Sequence, residues 1–161
     1  LTTHPGIERI DVESVSEMKT ALEQRFSESD LLFMAAAISD ARPAQRAEQK
    51  IKKENLTTIE LAENEDVLAT LSANKSHQII VAFAAETDHD SVDQAQAKMV
   101  RKGADVIYLN NVSDGAIFGS EETSGSIIDS SGVIESFTHV SKAVVAHSLI
   151  NSAISKFHKL N

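Results

Sequence analysis

Leu31-Leu32-Phe33-Met34-Ala35-Ala36-Ala37-Ile38 runs without a single polar side chain. It is far short of the ~20 apolar residues that span a bilayer and has the length of a buried strand. A strand covered on one face alternates apolar with polar; one that is apolar throughout is covered on both faces, as in a parallel sheet between helices. Ile79-Ile80-Val81-Ala82-Phe83-Ala84-Ala85 and Val106-Ile107-Tyr108-Leu109 repeat the pattern. Helical segments separate these runs. Ser14-Val15-Ser16-Glu17 has the capping-box pattern, followed by an apolar face at Val15, Met18, Leu22 and Phe26. Asn64 is placed to cap a helix carrying Val67, Leu68 and Leu71, and a helix from about Ser91 to Lys102 stops at Gly103, a residue suited to the left-handed cap.

The remaining elements are shorter or more ambiguous. Ile7 to Val12 has strand character, Ser39 to Asn55 is a polar, cation-rich connection, and Leu56 to Leu61 reads as a short strand. Ser126 to Phe137 reads as a hairpin turning at Asp129-Ser130-Ser131-Gly132. A last helix is expected from about Ser141 to Phe157, with Ala146, Ile150, Ala153 and Phe157 on one face. Alternating strands and helices with three buried strands make the class α/β with a mainly parallel sheet.

Composition narrows the function. The 161 residues suit one domain, and 24 Asp and Glu against 15 Lys and Arg leave a formal net charge of −9. That balance argues against a nucleic-acid or anionic-membrane partner. The absence of Cys excludes a disulfide framework, a thiolate metal site and cysteine catalysis. Leu1-Thr2-Thr3-His4-Pro5-Gly6 has neither a signal core nor an initiator Met, so the expectation is a soluble, cytoplasmic chain whose natural start lies upstream.

In such sheets ligands sit beyond the carboxyl ends of the strands, which selects the loops starting at Ser39-Asp40, Glu86-Thr87-Asp88 and Asn110-Asn111. Phosphate-loop and dinucleotide fingerprints are absent, and Gly115 and Gly119 do not open a helix. Asp88-His89-Asp90 could ligate a metal but reads better as a solvated loop. Two cationic groups stand out: Lys50-Ile51-Lys52-Lys53, and Lys98 with Lys102 one helical turn apart, Arg101 nearby. Ammonium groups at the sheet edge suit an anionic ligand, although composition does not separate that from solvated surface.

Ala35-Ala36-Ala37-Ile38-Ser39-Asp40-Ala41-Arg42-Pro43, Lys50-Ile51-Lys52-Lys53, Phe83-Ala84-Ala85-Glu86-Thr87 and Arg101-Lys102-Gly103-Ala104-Asp105 occur in order. Together they resemble phosphopantothenate–cysteine ligase (phosphopantothenoylcysteine synthetase), the synthetase half of the bacterial bifunctional coenzyme A biosynthesis protein. The resemblance implies a three-layer Rossmann-like, mainly parallel sheet with helices on both faces and a C-terminal β-hairpin. It implies amide formation between 4′-phosphopantothenate and cysteine through an acyl-cytidylate, with CTP and Mg²⁺ and release of CMP and pyrophosphate. FMN would belong to a decarboxylase domain upstream. A cytoplasmic homodimer is implied, with neither nucleic acid nor membrane as partner.

By motif position the resemblance makes Lys50 the catalytic and nucleotide-binding residue. Met34, Ala35, Ala36, Asp40, Glu65, Asp66, Val67, Leu68, Phe83, Lys98 and Lys102 are the other nucleotide contacts, and no residue is a metal ligand. Lys52 and Lys53 match the motif with a weaker claim. Ala41 stands where the family commonly has an aromatic residue, Glu65 where it has Pro, and Asn111 where it has Asp. The family's N-terminal Gly-rich strand–loop and following Asn have no counterpart, so residues 1–161 are expected to be a single synthetase domain lacking that piece. The alternatives are an inactive fragment that only binds nucleotide or dimerises, and a nicotinamide-dependent oxidoreductase, which the missing Gly-rich fingerprint disfavours.

Overall fold

The computed structural model describes residues 4–45, 49, 58–86, 92–112 and 120–160. Its first helix, α1 (Val15–Phe26), starts as the capping pattern requires: Ser14 Oγ accepts the Glu17 amide at 3.2 Å. The Glu17 carboxylate reaches back to the Glu13 amide at 2.8 Å, one residue before the cap. Val15, Met18 and Leu22 then pack on the core, and Phe26 is buried.

Strand β1 (Leu31–Met34) pairs in parallel with β4 (Ile79–Glu86), and β4 in parallel with β5 (Val106–Asn111). The hairpin β6 (Glu122–Asp129) and β7 (Gly132–Ser141) extends the sheet antiparallel, giving a mixed sheet in the order β1-β4-β5-β6-β7. A separate antiparallel ribbon joins β2 (Ala41–Pro43) to β3 (Leu61–Glu63). Helices α2 (Val67–Ala73) and α3 (Val92–Lys102) flank β4 in the chain, and α4 (Lys142–Leu160) closes it. No helix among the described residues is long and apolar enough to cross a membrane.

The pleat sends alternate residues to opposite layers. Ile80, Ala82 and Ile107 meet α1, α2 and α3 through Phe26, Leu71 and Met99. Ile79, Val81, Val106 and Tyr108 meet α4 through Val145, Leu149 and Ala153. Both faces of the sheet are therefore covered, and Ile79, Ile80 and Val81 are at most 1% exposed. At the amino ends of the strands Asp105 accepts the Ile80 amide at 2.8 Å and the Lys75 ammonium at 2.7 Å. After α3 the chain reverses at Gly103 with φ +65; a Cβ there would lie 2.4 Å from Ser72 Oγ, so a side chain would clash as well as strain the backbone.

Several sequence expectations are corrected. The apolar run after Leu31 stays in the sheet only to Met34; Ala35 to Ala37 are exposed. Continuous apolarity does not distinguish a strand from small residues walling a cavity. Ile7 to Val12 forms no strand: β1 is the sheet's edge, no strand pairs with the segment among the described residues, and Ile7 is 62% exposed. β5 runs on through Asn110 and Asn111, because β4 offers Ala85 and Glu86 as ladder partners. Within the expected strand Leu56 to Leu61, residues through 57 lie outside the described set; the observed strand is Leu61–Glu63, paired to a β2 too polar to be foreseen. The cap of α2 is Asp66, not Asn64. On α4 the sheet takes Val145, Leu149 and Ala153, leaving Ala146 and Ile150 exposed, since adjacent apolar stripes on one helix leave its rotation to the partner surface.

The hairpin turn is tied to two helices through Asp129. Its carboxylate accepts the Lys156 ammonium at 2.7 Å and the Ser131 amide and hydroxyl at 2.8 and 2.6 Å, while its carbonyl accepts Gln96 Nε2 at 2.8 Å. Burial pushes this carboxyl up, but Lys156 and Ser131 outweigh it and hold it at about 2, against an ordinary 3.8. A carboxyl depressed in the folded state stabilises above its unfolded pKa and loses that contribution as pH falls through the folded one. Urea unfolding should therefore lose on the order of 1 kcal/mol between pH 4 and pH 2 from this group, and Lys156→Met should shrink that loss. An identical acid profile in the variant would rule the assignment out.

Candidate functional site

A cleft of about 270 Å³ opens beyond the carboxyl ends of β1 and β4. Its walls come from the segment after β1, the start of α2 and one face of α3. Met34, Ala36, Asp40, Glu65, Asp66, Val67, Leu68, Phe83, Lys98 and Lys102 all line it, so ten residues singled out from the sequence converge on one concavity. Ala35 does not; it lies on a larger cavity against α4. Lys50, Lys52, Lys53 and Asp88-His89-Asp90 lie outside the described residues. Arg101 borders a separate depression that Lys98 also touches.

The rim is held by a side chain that sequence reasoning assigned elsewhere. Asn64 Nδ2 donates to the Ser39 carbonyl at 2.8 Å, its Oδ1 accepts Arg42 Nη1 at 3.0 Å, and its amide donates to the Asp40 carbonyl at 2.8 Å. Arg42 Nη1 also donates to the Glu63 carbonyl at 2.7 Å. Those bonds lock the loop carrying Ser39 and Asp40 onto the β3–α2 junction. From the sequence Asn64 reads only as a helix cap, the role that Asp66 takes.

Each acidic group at the α2 start is met by a lysine. Glu65 pairs with Lys19 of α1 at 2.5 Å. Lys102 forms an ion pair with Asp66 Oδ2, while Asp66 Oδ1 accepts the Ala69 amide at 3.1 Å. Burial raises the Asp66 carboxyl, but Lys102 and the Ala69 amide prevail and hold it below the usual range. Lys98 lies one turn from Lys102 on α3, so the cleft presents two lysines to an anion, and Asp66 engages Lys102. Small residues at Ala36 and Ala37 let a ligand approach the backbone closely. No three His, Asp or Glu side chains converge to hold a metal among the described residues.

The model of the DNA/pantothenate metabolism flavoprotein C-terminal domain matches residues 1–157. The chain is 36% identical over 161 residues to the coenzyme A biosynthesis bifunctional protein CoaBC of Mycobacterium bovis, across 93% of this chain and 38% of that protein. It is 39% identical over 152 residues to a cysteine/cysteine sulfinic acid decarboxylase from an unknown prokaryotic organism, across 92% of this chain and 42% of that protein. The chain thus spans about two-fifths of the length of these relatives. Among solved structures, the C-terminal domain of coenzyme A biosynthesis bifunctional protein CoaBC superposes with a TM-score of 0.77 at 23% identity, across 99% of this chain and 70% of that one, a likeness of fold.

Because Asn caps a helix as well as Asp, Asp66→Asn should keep α2 intact while releasing Lys102. Inorganic tripolyphosphate should then bind roughly three- to tenfold tighter by calorimetry, as a negative charge leaves the cleft. An unchanged affinity would show that Asp66 does not restrain Lys102.

Proposed function

The chain belongs to the family of the DNA/pantothenate metabolism flavoprotein C-terminal domain, and on that premise we propose that it supplies the ligase half of a coenzyme A biosynthesis enzyme, joining 4′-phosphopantothenate to cysteine with consumption of CTP. The observation that carries the reading is the convergence of the motif residues on one cleft with Lys98 and Lys102 on its α3 wall. The relatives' own role in coenzyme A biosynthesis supports it.

In this reaction the phosphopantothenate carboxylate attacks the α-phosphorus of CTP, the bond to pyrophosphate breaks, and an acyl-cytidylate forms. The cysteine amine then attacks the acyl carbon, CMP leaves, and the amine proton is released. Neither step needs a protein nucleophile, in keeping with a chain that has no Cys. What is needed is positioning and charge neutralisation. Lys98 and Lys102 would hold the phosphates, Met34 and Ala36 would wall the nucleoside, and Phe83, between the cleft and the α4-side cavity, would help keep water from the activated acyl group. Lys50 would stabilise charge on the transferring phosphoryl group. With no carboxylate cage among the described residues, Mg²⁺ would arrive on the triphosphate oxygens, which suits a cation that keeps phosphate and water ligands. A homodimer and a cytoplasmic setting belong to the same proposal.

Calorimetric titration of the protein at its full natural length with CTP and Mg²⁺ should show binding that Lys98→Ala weakens by about tenfold, the loss of one charge-assisted contact. A folded protein that binds no CTP would refute the reading. Lys50→Gln should lower turnover by on the order of a hundredfold or more with CTP affinity less affected; undiminished turnover would remove Lys50 from catalysis.

A further inference from the structure

Asn64 follows β3 directly and lines the cleft, but Asp66 caps α2 and leaves the Asn64 side chain free of that role. Its carboxamide spans two neighbours instead: Nδ2 donates to the Ser39 carbonyl at 2.8 Å, and Oδ1 accepts from Arg42 Nη1 at 3.0 Å. A carbonyl only accepts and a guanidinium only donates, so one orientation of the amide satisfies both. A carboxylate at this position would set an oxygen against the Ser39 carbonyl, and an alkyl group would leave both partners unmet. Arg42 is pinned in turn, because the same Nη1 donates to the Glu63 carbonyl at 2.7 Å.

The bond to Ser39 fixes a whole peptide group. The peptide joining Ser39 to Asp40 is trans and planar, so its N–H points opposite to its C=O. With the carbonyl turned to Asn64, the Asp40 amide is turned away from it and finds no acceptor among the described residues. The next peptide is held by the Asn64 amide, which donates to the Asp40 carbonyl at 2.8 Å, and Ser39 Oγ closes the turn on the Ala41 carbonyl at 2.6 Å. Asp40 lines the cleft, and its carboxylate has no ion-pair partner among the described residues. The α3 wall therefore offers Lys98 and Lys102, whereas the loop after β1 offers an unpaired carboxylate and an unused N–H. A polyphosphate is drawn to the first wall and repelled by the second. A neutral group carrying both hydroxyls and acceptors, as a nucleoside does, suits the second.

We propose that Asn64 is a positioning residue for nucleoside recognition. Through Ser39 it holds Asp40 so that the Asp40 amide donates to an acceptor of the nucleoside and the carboxylate accepts from one of its hydroxyls, with Arg42 fixing the Asn64 side chain. The choice of a nucleotide as ligand rests on the ligase reading; the brace itself rests on hydrogen bonds between residues of this chain.

The test is calorimetric titration of the protein at its full natural length with CTP and, separately, with inorganic tripolyphosphate, each with Mg²⁺. Tripolyphosphate carries the charge without the nucleoside, so it separates a lost position from a lost cleft. Asn64→Ala and Asn64→Leu should each weaken CTP binding by about tenfold and leave tripolyphosphate within about twofold, since the main-chain bond at position 64 keeps the β2–β3 ribbon paired. Arg42→Ala reads the same contrast without touching position 64; it keeps the Ser39 bond and should weaken CTP by about threefold. CTP binding that is unchanged in the Asn64 variants, or losses of CTP and tripolyphosphate that are equal in all three variants, overturns the positioning role while the nucleotide reading stands. A wild type that binds tripolyphosphate but not CTP overturns the nucleotide reading and this role with it.

Discussion

Strand β4, paired along both edges, is buried on both faces over Ile79 to Ala82, and the rest of the molecule follows from satisfying its backbone. A peptide group removed from water must find a partner or cost on the order of 1–3 kcal/mol. β1 pairs one side of β4 over Ile79 to Ala82 and β5 the other over Val81 to Glu86. Where the ladder begins, the Asp30 carbonyl accepts the Ile79 amide, the Asp105 carboxylate accepts the Ile80 amide, and the Asp105 amide donates to the Ile80 carbonyl. Two parallel partners require crossovers that place helices on the sheet; α2 and α3, with α1, cover one face, and α4, after the hairpin, covers the other.

The same arrangement puts the chemistry at the other end. β1 stops at Met34 while β4 and β5 continue, so the step between unequal strands leaves space on both faces beyond the carboxyl ends. Phe83, at that step, separates a small cleft lined by acidic and basic groups from a larger, mostly apolar cavity. Ala36 and Ala37 contribute to both walls, and Ala35 to that of the larger cavity, because they lie outside the sheet and carry small side chains.

Electrostatically the cleft is more balanced than a list of lysines suggests. Lys102 is matched to Asp66, and Glu65 of the same wall to Lys19 of α1, so an anion arriving at Lys102 must exchange partners with a carboxylate. Binding strength then depends on a difference between two ion-pair states, a smaller quantity than either alone. Asp66 joins this exchange to folding, since the carboxylate that holds Lys102 also caps α2.

Much of the fold was legible in particular residues. The apolar runs at Ile79 and Val106, the Ser14 cap and the stop at Gly103 each act through local chemistry: burial pattern, side-chain-to-amide bonding and tolerance of positive φ. The motif positions were legible too, because a resemblance in sequence order needs no geometry. The ribbon β2–β3, the rotation of α4, the irregular course of Ile7 to Val12 and the use of Asn64 as a rim brace were not. Each depends on whether a partner surface lies opposite. Local patterns along the chain suffice for an α/β class with buried parallel strands, lysines one turn apart and no nucleophilic thiol. Packing sets the rest: the two lysines line one cleft with the α2 start, Asp66 engages Lys102, and a second cavity lies between the strand ends and α4. Propensity and periodicity act over a few residues, whereas these contacts join groups on separate elements, brought together by packing on a common sheet.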